Sequence, residues 1–271
     1  MNAVGIVGVG LIGGSFGLAL RQAGFTGRII GVSSQPAIDA ALARGVIDEA
    51  LPLANAAALT DFIYLAQPIE RILQTLDVID EYARPGALIT DAGSTKVAIV
   101  NRATSAIRAV RSGVRFVGGH PMAGKESRGV EQAEADLFRD RPYVLTSRDA
   151  ELESWIERIG ARLVVMTAEE HDRLVALTSH LPQLISTALA SLIGAQPDAG
   201  KVAGPAAVDL TRLALSPYEI WRDIFATNAD SVDAAVGAFI AKLEELRTSL
   251  RSPAMERAFE TAAAAAKALR R

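Results

Sequence analysis

Ala3-Val4-Gly5-Ile6-Val7-Gly8-Val9-Gly10-Leu11-Ile12-Gly13 is the stretch that decides the fold. The apolar run Ala3–Val9 predicts a buried strand, and Ile12–Ala23, stopped by Gly24, predicts the helix after it. Between them the glycines allow a tight turn and let a pyrophosphate approach backbone N–H groups at the helix N-terminus. Gly8, Gly10, Leu11, Ile12 and Gly13 are therefore candidate dinucleotide-binding residues. Glycines alone are weak evidence; strand, glycines and helix in this order are strong.

Outward from this unit, short β-rich runs alternate with helical stretches as far as Met166, the pattern of a mostly parallel sheet built from βαβ units. The expected strands are Ala3–Val9, Arg28–Val32, Asp61–Leu65, Ala87–Asp91, Arg115–Val117, Pro142–Thr146 and Arg162–Met166. Gln67 and Pro68, just past the third of these, join the cofactor-side candidates. Strand signals then cease. Thr167 with Glu170 forms a capping-box pattern that predicts a long helix to about Ile193, kinked at Pro182. Ser216-Pro217-Tyr218-Glu219 predicts another capped helix, Ser231–Leu250 a further one, and the alanine-rich tail ending Arg270-Arg271 a surface or partner-packing helix. The expected fold is thus an α/β Rossmann-type domain over 1–166 with an all-α domain over 167–271.

Composition narrows the chemistry. The chain has 271 residues, half of them hydrophobic, enough for two buried cores. A formal charge of −3 with interspersed signs offers no basic stripe for nucleic acid or an anionic membrane, so the expected partner is a small molecule. The absence of cysteine excludes disulfides and thiolate catalysis and suits a reducing cytoplasm. The apolar start is interrupted by seven glycines or serines between Ala3 and Leu20 and has no basic leader, so neither a signal peptide nor a membrane span is expected.

At the end of the second expected strand an NAD enzyme usually places an acid for the ribose 2′-hydroxyl; here stand Gly31-Val32-Ser33-Ser34. Without a repelling carboxylate, and with two hydroxyls able to donate, Ser33 and Ser34 favour NADP over NAD. Ser34 also suits the N-cap of the next helix.

Three histidines, His120, His171 and His180, make up the usual acid–base groups near neutral pH. His120 follows a strand in Gly118-Gly119-His120-Pro121-Met122-Ala123-Gly124, where open α/β sheets meet their ligands and where flanking glycines give a substrate close access. It is the foremost candidate base. Nine residues separate His171 from His180, opposite faces of a straight helix, so one of them at most is expected in a cleft unless the helix bends. His180, beside Pro182, is preferred; His171 suits a solvated first-turn position. In Thr90-Asp91-Ala92-Gly93-Ser94-Thr95-Lys96, Ser94 could cap the next helix or bond a catalytic imidazole.

Together these motifs, with His171-Asp172, Ser179-His180-Leu181-Pro182 and Asp209-Leu210-Thr211-Arg212, resemble the prephenate/arogenate dehydrogenase family in order and spacing over nearly the whole chain. The resemblance implies an intertwined homodimer formed by the helical domain, a substrate cleft between domains, and no metal. It implies that hydride leaves the hydroxyl-bearing ring carbon of prephenate or arogenate for NADP or NAD while carbon dioxide departs and the ring becomes aromatic. It implies His120 as base, Ser94 as its support and Arg212 as the partner of a substrate carboxylate. His180, Lys125, Glu126, Gln183 and Trp221 are further substrate-side candidates. Gln183 and Lys125 depart from many relatives, which have a further histidine and a small polar residue there. A β-hydroxyacid dehydrogenase would instead present a lysine on a helix of the second domain, whereas Lys201 falls in an expected loop.

Overall fold

The computed structural model describes residues 1–107 and 113–270. Arg271, the end of the expected tail, lies outside them. Six strands, β1 (Ala3–Val7), β2 (Arg28–Val32), β3 (Glu49–Ala50), β4 (Phe62–Leu65), β5 (Leu88–Asp91) and β6 (Arg115–Val117), form a parallel sheet in the order β3-β2-β1-β4-β5-β6. Strands β1, β4 and β5 are buried along their length, as their unbroken apolar runs require when both faces are covered. The covering helices are α1 (Leu11–Gln22), α2 (Gln35–Ala43), α3 (Leu53–Leu59), α4 (Ile69–Tyr82) and α5 (Val97–Ala106). One core contains Ile6, Phe16, Leu20, Ile29 and Tyr64; the other contains Ile63, Leu65, Ile72, Leu76 and Ile99. The strand order reverses between β1 and β4, the switch point at which such sheets bind ligands.

Two expected strands belong elsewhere. β8 (Pro142–Leu145) and β9 (Arg162–Val165), joined by α6 (Ala150–Arg158), form a second sheet with β7 (Gly119–Pro121), which runs antiparallel to β8. Strand β7 is only three residues long and rich in glycine and proline, too short for its own periodic signal. It is fixed by backbone contact instead: Gly119 N donates to Asp91 Oδ1 at 3.0 Å, and Thr146 N to Gly118 O at 2.9 Å.

The remainder is helical: α7 (Ala168–Val175), α8 (Leu181–Gly194), α9 (Pro205–Thr211), α10 (Tyr218–Thr227), α11 (Ala229–Ser249) and α12 (Pro253–Ala268). Thr167 caps α7 as its spacing predicts, its hydroxyl accepting from Glu170 N at 3.1 Å. The long helix is not kinked at Pro182, which sits harmlessly in the first turn of α8; it is broken earlier, by a π turn at Ala176–His180. The second expected capping box does not form. Pro217 takes the cap position of α10, and Ser216 Oγ instead accepts from Trp221 Nε1 at 2.9 Å.

The helical part docks by capping Rossmann helices in trans. The Asp172 carboxylate accepts from Lys96 N at 2.7 Å and Val97 N at 2.9 Å at the start of α5, and Asp223 Oδ2 accepts from Glu70 N at 3.2 Å at the start of α4. Each contact satisfies orphan N–H groups and places a negative charge at the positive end of a helix dipole. None of the described helices is long and apolar enough to cross a membrane.

Candidate active site

A cleft of about 880 Å³ opens at the carboxyl ends of β1, β2 and β4, lined by Gly8, Val9, Gly10, Ser33, Ser34, Gln67, Pro68 and Arg71 among others. Gly8 has φ +95°, and a Cβ on it would lie 2.6 Å from Ala66 O, so only glycine fits this turn. A Cβ on Gly13 would lie 2.1 Å from Gly8 O, which locks α1 against the turn. At Gly10, the cap of α1, a Cβ would meet nothing within 4 Å: the space beyond is the cleft. No side chain caps α1 and no acid stands in its first turn, so its N–H groups, those of Leu11 and Ile12 included, are open to an anion. The residues present therefore fit a dinucleotide pyrophosphate.

His120 stands on β7 beyond the end of β5, so the small sheet carries it to the edge of the large one. Its position depends on the two preceding glycines for a different reason from the one their sequence suggests. A Cβ on Gly118 would lie 2.8 Å from Thr146 Oγ1, and one on Gly119 2.6 Å from Asp91 O. They permit packing of β7 on β5 and β8 rather than substrate access; Gly124 alone of that group faces open space.

Behind His120 lies a buried relay. His120 Nδ1 and His171 Nε2 are 2.8 Å apart, and His171 Nδ1 is 2.7 Å from Asp172 Oδ1. Asp172 already accepts two backbone N–H bonds, so it presents a further lone pair to His171 and accepts a hydrogen bond from its Nδ1–H. His171 Nε2 is then an acceptor, and His120 must donate from Nδ1, leaving its Nε2 lone pair as the free basic position. His171 is thus no solvated first-turn residue; it is 1% exposed.

The π turn explains how both helical histidines reach this place. Adding one residue to a turn rotates the remainder of the helix about its axis, so positions nine apart move from opposite faces to within about a quarter turn. His180, also buried, lies 3.4 Å from Asn228 Nδ2, which in turn donates to Asp172 O at 2.8 Å. The Trp221 ring stands edge-on to His180 at 6.1 Å and stacks with Phe225 at 5.7 Å.

Burial favours the neutral form of His120 and of His180. Burial pushes His120 well below its ordinary value, reinforced by His171, Lys96 and His180. Burial likewise lowers His180 to about 4. Lys96 is fully buried; its ammonium donates to Asp91 Oδ2 and, at 2.6 Å, to Gly119 O, while desolvation draws its own pKa down against the opposing pull of Asp91. One lysine therefore ties β5, β7 and, through its backbone N–H, α7 together.

Other candidates are placed less centrally. Ser94 does not cap α5, since Asp172 does, and among the described residues its hydroxyl has no hydrogen-bond partner. Arg212 opens a 3₁₀ turn at the surface, where Nη1 meets Glu126 Oε1 at 2.9 Å. Lys125 is turned toward Glu134 at 2.5 Å and Gln132 O at 3.1 Å. Gln183 is 4% exposed and its Oε1 has no partner among the described residues, while Nε2 reaches Thr187 Oγ1 at 3.3 Å. Lys201 is exposed and paired with Asp198 at 2.8 Å, unlike a catalytic lysine. Among the described residues no cluster of His, Asp or Glu could hold a metal.

A Rossmann sheet with an open glycine turn and a histidine relay at its edge is the architecture of a dinucleotide-dependent oxidoreductase. Comparison with known proteins makes the class specific. The chain matches the model of the prephenate dehydrogenase nucleotide-binding domain over residues 16–169 and that of the prephenate dehydrogenase dimerization domain over residues 167–263. It is 33% identical to the prephenate dehydrogenase of Lactococcus lactis subsp. cremoris, covering 96% of this chain and 75% of that protein. The crystal structure of Synechocystis arogenate dehydrogenase matches with a TM-score of 0.86 at 30% identity, over 98% of this chain and 99% of that one. That of A. aeolicus prephenate dehydrogenase, in complex with hydroxyphenyl propionate and NAD+, matches with a TM-score of 0.85 at 31% identity, over 100% and 96%. The chain belongs to the prephenate dehydrogenase family.

Proposed function

We propose that this chain oxidises prephenate to 4-hydroxyphenylpyruvate with loss of carbon dioxide, a step toward tyrosine, with NADP preferred to NAD and arogenate as the alternative substrate. The observation that carries the reading is the Asp172–His171–His120 relay, which ends on a free basic nitrogen beyond β5. Strand β5 lies three places from β2, roughly 14 Å along the sheet. A dinucleotide with its adenosine end at Ser33 and its pyrophosphate at Gly10 therefore extends toward His120.

A bound nicotinamide supplies the hydride acceptor. His120 Nε2 takes the substrate hydroxyl proton as hydride leaves the same carbon, and the proton returns to that oxygen in the phenol product. The electron pair of the breaking bond to carbon dioxide completes the aromatic ring. The low basicity imposed on His120 keeps it unprotonated before substrate arrives, and a dianionic substrate beside it raises its proton affinity when the base is needed. Ser94, whose hydroxyl has no partner among the described residues, supports His120 in that task. Arg212 exchanges Glu126 for a substrate carboxylate, a match for its planar fork. His180, Gln183 and Trp221 line the substrate side, with Lys125 and Glu126 at its rim.

Residues 1–166 carry the cofactor together with His120 and Ser94, and 167–271 supply Arg212, His180, Gln183 and Trp221 to the substrate side and the dimer face. The exposed Leu192, Val202, Leu210, Leu215, Phe259 and Leu269 supply apolar surface suited to a second copy of the chain. A cytoplasmic location accords with the absence of cysteine.

The test is the initial rate of NADH or NADPH formation for each pairing of prephenate or arogenate with NAD or NADP, with His120→Asn as control. Activity abolished in the variant supports the reaction and ranks both specificities. No turnover with either substrate, by folded protein shown to bind the dinucleotide, overturns it.

A further inference from the structure

The segment that ends β2, Gly31-Val32-Ser33-Ser34, supplies no acid to the cleft, and the sequence around Ser33 offers no cation either. The fold supplies one from another element. Arg71, on the first turn of α4, lines the same cleft as Ser33 and Ser34. We propose that Arg71, with the Ser33 and Ser34 hydroxyls, forms a subsite for the 2′-phosphate of the dinucleotide and is the residue that sets its preference; this rests on the cofactor reading above.

Three observations support the assignment. Ser34 occupies the cap position of α2 but makes no side-chain capping bond, so its hydroxyl is available to a ligand, and no acid stands in the first turn of that helix. The exposed Arg71 guanidinium donates through Nη1 to the neutral Gln74 Oε1 at 2.9 Å and, among the described residues, pairs with no carboxylate. Strand β1 lies between β2 and β4, so the ends of those two strands stand about 10 Å apart, a gap that an extended arginine arm and a phosphate fill together. The lining also contains one carboxylate, Glu131, so the overall charge of the cleft does not select a phosphate. Selection rests on the fork of Arg71, whose geometry suits a phosphate dianion.

The test is calorimetric titration of the full chain with 2′,5′-ADP and with 5′-AMP, for the parent and for Arg71→Gln, with thermal unfolding to confirm that this surface change leaves the fold intact. The parent is expected to bind 2′,5′-ADP more tightly. Arg71→Gln should weaken 2′,5′-ADP by about 10- to 100-fold, the range for a hydrogen bond to a charged group, and leave 5′-AMP nearly unchanged. Equal loss for both ligands would make Arg71 an adenine contact, and unchanged binding of both, or a parent that does not distinguish them, would equally overturn the subsite. A parent that binds neither ligand, nor NAD nor NADP, would instead sink the dinucleotide reading itself.

Discussion

His120 Nδ1 and His171 Nε2 share a hydrogen bond of 2.8 Å across the junction between the small sheet and the helical part, and that bond fixes the tautomer of the candidate base. A second histidine in series with an aspartate orients an imidazole much as a carboxylate alone can, while spreading the proton that His120 accepts over a longer path.

If His171 acts by positioning, His171→Ala should lower kcat by about 100-fold, within the usual contribution of general-base catalysis, and change the affinity for dinucleotide little. A merely structural role would not move the pH profile. Here it should move: His171 is one of the causes that hold His120 low, so its removal should shift the acid limb of kcat/KM to higher pH. His171→Gln, whose amide can bond to His120, should recover part of the rate. A profile that keeps its position in both variants would count against the relay.

The buried His180 makes stability depend on pH. Its folded value is about 4, below the unfolded value of about 6.5, so the unfolded chain binds more protons between them and stability rises with pH through that window. As pH falls from about 6.5 toward 4, that contribution, on the order of 2–3 kcal/mol, is lost. Urea unfolding at pH 7 and pH 5 should show a smaller loss for His180→Gln than for the parent. Equal losses would mean that other groups set the acid limb.

Lys96 and Asp91 are both fully buried and joined by an ion pair, which makes the single replacements costly and the double replacement informative. Lys96→Met should destabilise by about 3–5 kcal/mol because Asp91 is left charged and unpaired. Lys96→Met with Asp91→Asn should recover a substantial part of that loss in chemical denaturation. An additive double variant would show that the pair does not couple.

Much of this was legible in the residues. The β1 turn, the capped start of α7, the glycine spacing from Gly8 to Gly13 and the helical character after Met166 are local patterns, and the fold keeps them. What escaped depends on contacts distant in sequence. Strand β7 has no periodicity because it is held by Asp91 and Thr146; the partner of His171 lies 51 residues away; and the cap of α5 comes from Asp172, 76 residues beyond Lys96. The π turn left no sign, since a one-residue insertion in a helix changes the facing of its residues without changing their composition. A histidine followed directly by an acid, His171-Asp172, was the one available hint of the relay, and its place in the first turn of a helix argued for solvent.

The glycine turn offers a contrast between two nearby substitutions. Gly10→Ala should fold normally, since its Cβ meets nothing within 4 Å, yet weaken binding of NAD or NADP, because that empty space is the cleft. Gly13→Ala should lower the melting temperature sharply, its Cβ falling 2.1 Å from Gly8 O. Thermal unfolding and dinucleotide titration read the two effects separately. Should Gly10→Ala bind as the parent does, the pyrophosphate does not approach the chain there.

Gln183 gives the last test, on the choice between substrates. It is buried one turn after His180 on the first coil of α8, and its Oε1 has no partner among the described residues, so a change from amide to carboxylate alters charge with almost no change of shape. Arogenate has an ammonium group where prephenate has a keto oxygen. If Gln183 faces that end of the substrate, a buried carboxylate should attract the first and repel the second. Gln183→Glu should therefore raise the ratio of kcat/KM for arogenate over prephenate by about tenfold or more, equivalent to about 1.4 kcal/mol. A carboxylate with no ammonium to meet would instead cost stability in the free enzyme, so the variant should also gain more melting temperature from arogenate than from prephenate. A ratio unchanged in a folded, active variant would place the amino or keto group of the substrate away from α8.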